Sequence, residues 1–190
     1  SEVFKVPVEE VTPLMRSRAK AVNFGIVYGI SDFSLSQDLK ITRKEAAEYM
    51  EIYFDRYPKI KGYLESVKEE AKEKGYVLTV LNRRRFIPEI KSSNKIVKAL
   101  GERLAMNAPI QGSAADIIKL AMVKVYNRIK KENLESQMIL QVHDELILNV
   151  KENELEIVKA LVKEEMENVL KMSVTLEVDT NIGNTWYDAK

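Results

Sequence analysis

Arg16, Lys20, Phe24 and Tyr28 recur at every fourth position, and on a helix that spacing lines their side chains along one gently drifting stripe. Asn23 stands beside it, seven residues from Arg16. At the helical rise the stripe covers about 18 Å. Its order is informative. The two cations come first, near a helix N-terminus whose backbone donors and dipole favour anions, and the aromatic faces follow. That is the shape of a nucleoside triphosphate. Met15, Ala19, Val22 and Ile26 fill another face and give the helix a packing side. Gly25 inside the helix costs about 1 kcal/mol relative to alanine unless something approaches closely. On spacing alone, an ordinary surface helix with solvated cations and half-buried rings fits as well.

The second constellation is Gln141-Val142-His143-Asp144-Glu145, where a strand reaches a turn and two carboxylates stand side by side. Adjacent carboxylates at a tight turn are costly unless solvated or neutralised. A divalent cation held by one or two carboxylates together with phosphate oxygens is the usual Mg²⁺ arrangement, and an exposed acidic turn is the bland alternative. Arg103, Asn107 and Gln111 repeat the fourfold spacing. They offer hydrogen-bond donors to purine N3, pyrimidine O2 and sugar oxygens, which every base pair presents in the minor groove. Arg83, Arg84 and Arg85 form the one dense basic cluster and suit phosphate contacts.

Composition narrows the chemistry further. The 190 residues contain no cysteine and one histidine, with 30 basic against 29 acidic side chains. Disulfides, thiolate zinc sites, cysteine nucleophiles and multi-imidazole cages are excluded, including the cage of HD-type phosphohydrolases. Any metal is a hard cation on carboxylates. A balanced charge, with 31% charged and 45% hydrophobic residues, is that of an ordinary globular domain. No apolar run approaches the ~20 residues of a membrane span, and Ser1-Glu2-Val3-Phe4 lacks the basic and apolar regions of a signal peptide. A cytoplasmic setting without a membrane partner is expected.

The elements that position these residues follow from caps and periodicity. Thr12-Pro13 starts a helix that Gly29 closes, predicting helix from Pro13 to Tyr28. Thr42-Arg43-Lys44-Glu45 is a capping box, followed by an apolar stripe that Pro58 ends, and Ile60 to Ala71 form another helix stopped by Gly75. Tyr76 to Leu81 and Phe86 to Ile90 flank a basic hairpin tip, Asn82 to Arg85. Helix resumes at Lys95. Pro109 is expected to interrupt it, and Ser113-Ala114-Ala115-Asp116 to cap a fresh helix reaching Lys131. Met138 to Val142 and Leu146 to Val150 form a second hairpin, Asn153 caps a further helix, and Val174 to Ile182 reads as a final strand. The fold class is α+β.

Taken together, the motifs are no longer generic. Arg16 to Gly29 resembles motif B of family A DNA polymerases, the bacterial DNA polymerase I type, where it forms the nucleotide-binding helix of the fingers. Gln141-Val142-His143-Asp144-Glu145 resembles motif C, Asn107 to Asp116 lies between them in family order, and the resemblance runs from Phe4 to the C-terminus. It implies an incomplete right-hand fold with helical fingers over 1–94 (nucleotide-binding helix 13–28, helical pair 42–74, basic hairpin 76–90) and a C-terminal palm portion over 95–190.

The implied reaction is template-directed addition of dNMP from dNTP to a primer 3′-hydroxyl with release of pyrophosphate, supported by two Mg²⁺ ions. The resemblance makes Arg16, Lys20, Phe24 and Tyr28 nucleotide-binding. It makes Asp144, Glu145 and Lys20 catalytic, with Asp144 the metal ligand and Glu145 a possible second. Arg83, Arg84, Arg85, Arg103, Asn107, Gln111, Gln141 and His143 would contact DNA. The implied partners are primer-template DNA, dNTP and an upstream polymerase segment carrying motif A and the thumb; the implied setting is bacterial, cytoplasmic and nucleoid-associated.

Three departures stand out. Ser17 takes the place of a second arginine, with Arg18 adjacent, and Asn82 replaces a glycine before the arginine triplet. Motif A, with the other metal-binding aspartate, is absent: the acidic residues before motif B are Glu2, Glu9 and Glu10. The expectation is therefore a C-terminal part of a larger polymerase, inactive alone. The alternatives are a non-catalytic DNA- or nucleotide-binding fragment, or one half of a split polymerase.

Overall fold

The computed structural model describes Ser1 and residues 6–189, so Glu2 and Phe4, named above, lie outside the described residues. The chain divides by packing into two compact units, 1–111 and 112–190.

In the first unit, Thr12 starts helix α1 (Pro13–Val27) by accepting a hydrogen bond from the Met15 amide, with proline in the first turn, and Gly29 leaves it at φ +72°. Helix α2 (Asp32–Leu39) was not expected; Ser31 caps it by accepting from the Ser34 amide, and Lys40 ends it in the left-handed region. Helix α3 (Arg43–Arg56) has the predicted capping box, both halves formed by Thr42 and Glu45. The Thr42 hydroxyl and then its amide, with a smaller contribution from Arg18, hold the Glu45 carboxyl below its ordinary pKa. Helix α4 (Pro58–Lys74) ends on Gly75 at φ 79°.

These four helices are held by an apolar core in which Val22 and Ile26 of α1 meet Leu35, Leu39, Ala46 and Tyr53. Burying two such branched side chains stabilises by about 1.5–3 kcal/mol each, which fixes which face of α1 looks outward.

Strands β1 (Tyr76–Leu78) and β2 (Arg84–Phe86) form an antiparallel ribbon shorter than predicted, with Tyr76 opposite Phe86 and Leu78 opposite Arg84. The tip is 79–83, where Asn82 takes φ 61° and the Thr79 amide donates to the Arg83 carbonyl at 3.0 Å. Arg84 and Arg85 are therefore strand residues rather than tip residues. The expected second strand to Ile90 is replaced by a 3-10 turn at Pro88–Lys91, because Pro88 supplies no donor to a ladder.

Helix α5 (Lys95–Lys131) runs without a break, with Pro109 inside it. This corrects the predicted interruption and the predicted cap at Ser113–Asp116, which lies mid-helix. An interior proline costs about 3 kcal/mol, but α5 buries Ala105 and Met106 before Pro109 and Ile118, Ala121, Val125 and Ile129 after it. That apolar stripe outweighs one lost donor. The two compact units nonetheless part between Gln111 and Gly112, two residues past the proline.

In the second unit, strands β3 (Gln137–Val142) and β4 (Glu145–Asn149) make an antiparallel hairpin with a bulge between Met138 and Leu140. Helix α6 (Leu155–Glu167) buries Val158, Leu161 and Val162 against Val125 and Ile129 of α5. Asn153 is not its cap, as had been expected: the helix is entered from a 3-10 turn at Glu152–Glu154, and no side chain caps it. Glu154 instead turns back to accept from the Glu135 and Ser136 amides at 2.9 Å and the Ser136 hydroxyl at 2.6 Å. Those bonds, the Ser136 hydroxyl first, hold its carboxyl below the ordinary range.

Arg128 of α5 donates to Glu132, Glu165 and Glu164 at 2.7–3.0 Å, which ties α5 to α6. Residues 174–182, predicted as a strand, form none. A strand exists only with a partner edge, and here the Val178 amide donates to the Glu167 carboxylate. The α+β class stands, helix-rich with two small antiparallel sheets.

Candidate functional site

The packing of α1 leaves Arg16, Lys20, Asn23, Phe24 and Tyr28 on its exposed side. The side chains engage one another in the order their spacing requires. The Lys20 ammonium lies 5.8 Å from the Phe24 ring centre, and the Phe24 and Tyr28 rings stack at 6.3 Å and 19°. Lys20, Phe24 and Tyr28 thus form a strip of cation and π faces that runs along α1 to its C-cap, with Arg16 exposed one turn before Lys20. Two partners hold that helix. The buried Tyr53 hydroxyl donates to Asn23 Oδ1 at 2.8 Å, and Asn107 Nδ2 of α5 donates to the Tyr28 carbonyl at 3.4 Å.

The three polar residues predicted on α5 all lie in the first unit, but they are not equivalent. Arg103 and Gln111 are exposed, whereas Asn107 is half-buried. Its Oδ1 is buried without a hydrogen-bond partner, so the amide is aimed at the end of α1 rather than into solvent. Gly29 completes the junction: a methyl group there would run into Met106 Cε and come within 3.5 Å of Arg103 Cγ. No local pattern signals this contact, since it joins residues remote along the chain.

The arginine triplet is split by the ribbon. Arg83 is in the turn, while Arg84 and Arg85 alternate across the strand and point to opposite faces. Arg84 sits 4.9 Å over the Tyr76 ring, a contact that stiffens the guanidinium while leaving it exposed.

In the second unit, Val142 pairs with Glu145 and closes a two-residue turn, His143-Asp144. His143 has φ 53° at the first central position, which is uncommon without glycine but tolerated by histidine better than by bulkier side chains. Gln141 Nε2 donates to the His143 carbonyl at 2.6 Å, bracing that geometry in a residue that the resemblance assigns to DNA contact. His143, Asp144 and Glu145 are all exposed.

The turn presents adjacent carboxylate oxygens, a donor set that fits a hard divalent cation retaining water or phosphate ligands. It does not form a closed cage. Among the described residues there is no group of three or more acidic or histidine side chains suited to a metal.

The family model for DNA polymerase family A matches residues 1–188. The chain belongs to that family. It is 56% identical over 190 residues to DNA polymerase I of Caldicellulosiruptor bescii and 54% identical over 189 residues to DNA polymerase I of Geobacillus stearothermophilus, covering 100% of this chain and 22% of each relative. A solved structure, the POL domain of Pol1 from M. smegmatis in complex with DNA primer-template and dNTP, superposes with a TM-score of 0.95 at 49% identity; the match covers 100% of this chain and 33% of that one. This family A chain thus spans about a fifth of the length of the curated relatives it matches. Family A polymerases are metal-dependent. No helix among the described residues is long and apolar enough to cross a membrane.

Proposed function

We propose that this chain supplies the nucleotide-binding face and part of the metal-binding carboxylate set of a DNA-directed DNA polymerase. The reaction adds dNMP from dNTP to a primer 3′-hydroxyl and releases pyrophosphate, in replication and repair. The observation that carries this reading is the exposed strip of Arg16, Lys20, Phe24 and Tyr28 on one face of α1, in a chain of family A.

Each residue has a part that its position supports. Arg16 and Lys20, in the first half of α1, neutralise the triphosphate. Charge-assisted hydrogen bonds to phosphate are among the strong ones, and Lys20 stabilises the charge that develops on the leaving pyrophosphate. The Phe24 ring borders the sugar, and the Tyr28 ring lies where the templating pair forms. Asp144, with Glu145 beside it, holds Mg²⁺, one of two ions in the complete enzyme. Bound there, the cation supplies Lewis acidity at the reacting phosphoryl oxygens.

Arg83, Arg84 and Arg85 take backbone phosphates, while Arg103, Asn107, Gln111, Gln141 and His143 line the primer terminus and minor groove. Residues 1–94 are then fingers and 95–190 palm. The partners are primer-template DNA, dNTP and an upstream segment with motif A and the thumb, in a bacterial, nucleoid-associated cytoplasmic setting.

A second reading is favoured by the two-carboxylate turn, which offers too few ligands for two metals: the piece binds nucleotide or DNA without chemistry, or it is one half of a split polymerase. Grafting this span into the Geobacillus stearothermophilus relative, in place of its matching 189 residues, separates the readings. Template-dependent extension by the chimera, with none by the 190-residue chain alone, is expected. A folded chimera that binds DNA and dNTP but never extends would leave the binding reading standing.

A further inference from the structure

Tyr53 is 5% exposed and belongs to the core that holds α1. Its ring meets Phe54 and Tyr57 at centroid distances of 5.9 and 5.0 Å, contacts that a phenylalanine would make equally well. The hydroxyl does something else. It donates to Asn23 Oδ1 at 2.8 Å, on the ligand side of α1. Burial, with Tyr57 adding, pushes the phenol above its ordinary pKa, so it remains a proton donor.

An amide whose oxygen is held has its nitrogen turned the other way. Asn23 is exposed, and its Nδ2 takes no partner among the described residues. The residue lies three positions from Lys20 and seven from Arg16, the spacings that place helical side chains on one face.

We propose that Tyr53 is a positioning residue for nucleotide use: its hydroxyl holds the Asn23 oxygen inward, so that Nδ2, beside Arg16 and Lys20, donates to an oxygen of the bound nucleoside triphosphate. This rests on α1 being the nucleotide face. Without the phenol the amide is free to turn over, and in the turned state its carbonyl oxygen faces phosphate and repels it.

The test uses the chimera described above, followed by single-turnover incorporation at varied dNTP. For Tyr53→Phe the apparent nucleotide dissociation constant rises about fivefold, the scale of one neutral hydrogen bond, while the maximal rate stays within about twofold and primer-template affinity is unchanged. Asn23→Ala, at an exposed position that the core does not need, gives the same rise. The double variant is no worse than either single one, because both remove one coupled interaction.

A purely structural tyrosine would lower the melting temperature of Tyr53→Phe and leave nucleotide affinity untouched, which overturns the proposal, as do fully additive losses in the double variant. Lys20→Ala separates the two levels. If it weakens nucleotide binding while Tyr53→Phe and Asn23→Ala do not, only this inference falls. If none of the three moves it, the nucleotide face on α1 falls and takes this inference with it.

Discussion

The strip on α1 and the carboxylate turn between β3 and β4 are built on opposite principles. One helix carries every member of the strip, its geometry follows from a 3.6-residue repeat, and its back is set in a core with Val22 fully buried and Ile26 2% exposed. The turn carries two carboxylates and a left-handed histidine. Beside it, Ile139 and Leu140 of β3 stay 54% and 50% exposed. A site written along one helix is whole wherever that helix folds. A site assembled from several strands is only as complete as the strands at hand.

The contrast breaks first at Asp144. In the chimera, Asp144→Asn keeps size and removes charge, so single-turnover incorporation should fall by at least ~100-fold, the lower end for deleting one preorganised electrostatic element. The primer-template dissociation constant should stay within about threefold, or roughly 0.6 kcal/mol. Near-normal incorporation would make the turn an ordinary solvated tip.

Lys20→Ala comes next. It should weaken nucleotide use by about tenfold or more, the scale of a hydrogen bond to a charged group, and leave DNA binding nearly unchanged. Arg83→Ala should do the reverse, lowering DNA affinity and reducing the salt slope by about one ion. Equal effects of both on nucleotide and DNA would erase the division between helix and hairpin.

Two smaller effects sharpen the comparison through stability. Gly29→Ala places a side chain at φ +72° against Met106 and should destabilise the first unit by about 1–2 kcal/mol. Chemical denaturation followed by fluorescence of the aromatic residues near α1 measures it, and a neutral result would mean that Met106 moves aside and that the backbone leaves the left-handed region at no cost.

In the second unit, Glu154 has a folded pKa depressed below its ordinary 4.5. Its contribution is present above that ordinary value and is lost as pH falls through the lower folded value. The protection of the Glu135 and Ser136 amides, which donate to it, measured relative to the intrinsic exchange rate at each pH, should therefore fall on acidification below about 4.5. In Glu154→Gln that step should flatten.

Most of the helical framework was legible because its signals are local: Thr12-Pro13, the Thr42 and Glu45 box, and Gly75 act within one turn. The strip on α1 was legible for the same reason. Ser31 is an equally local cap, but α2 behind it offers only Leu35 and Leu39 as a repeat, too short a pattern to mark a helix. Pro109 misled because a single-residue rule was set against packing along the whole of α5. Residues 174–182 alternate like a strand, but alternation specifies a face and never a partner. The Tyr53 to Asn23 and Asn107 to Tyr28 bonds join residues 30 and 79 positions apart, beyond the reach of any periodicity.

Gly101 shows how much one missing methyl determines. A side chain there would sit 2.5 Å from the Ile90 amide nitrogen and 2.8 Å from the Glu89 carbonyl carbon, so the turn after β2 lies directly on α5. Val77, Ile87 and Ile90 share one core with Ala105. The arginine ribbon is therefore mounted on the same shaft as Arg103, a short step along the helix. Two groups on a common mount behave as a caliper. Under the proposed contacts, ribbon to phosphate and Arg103 to the minor groove, the interval between the two is set by the protein, and each advance of the strand must move both together.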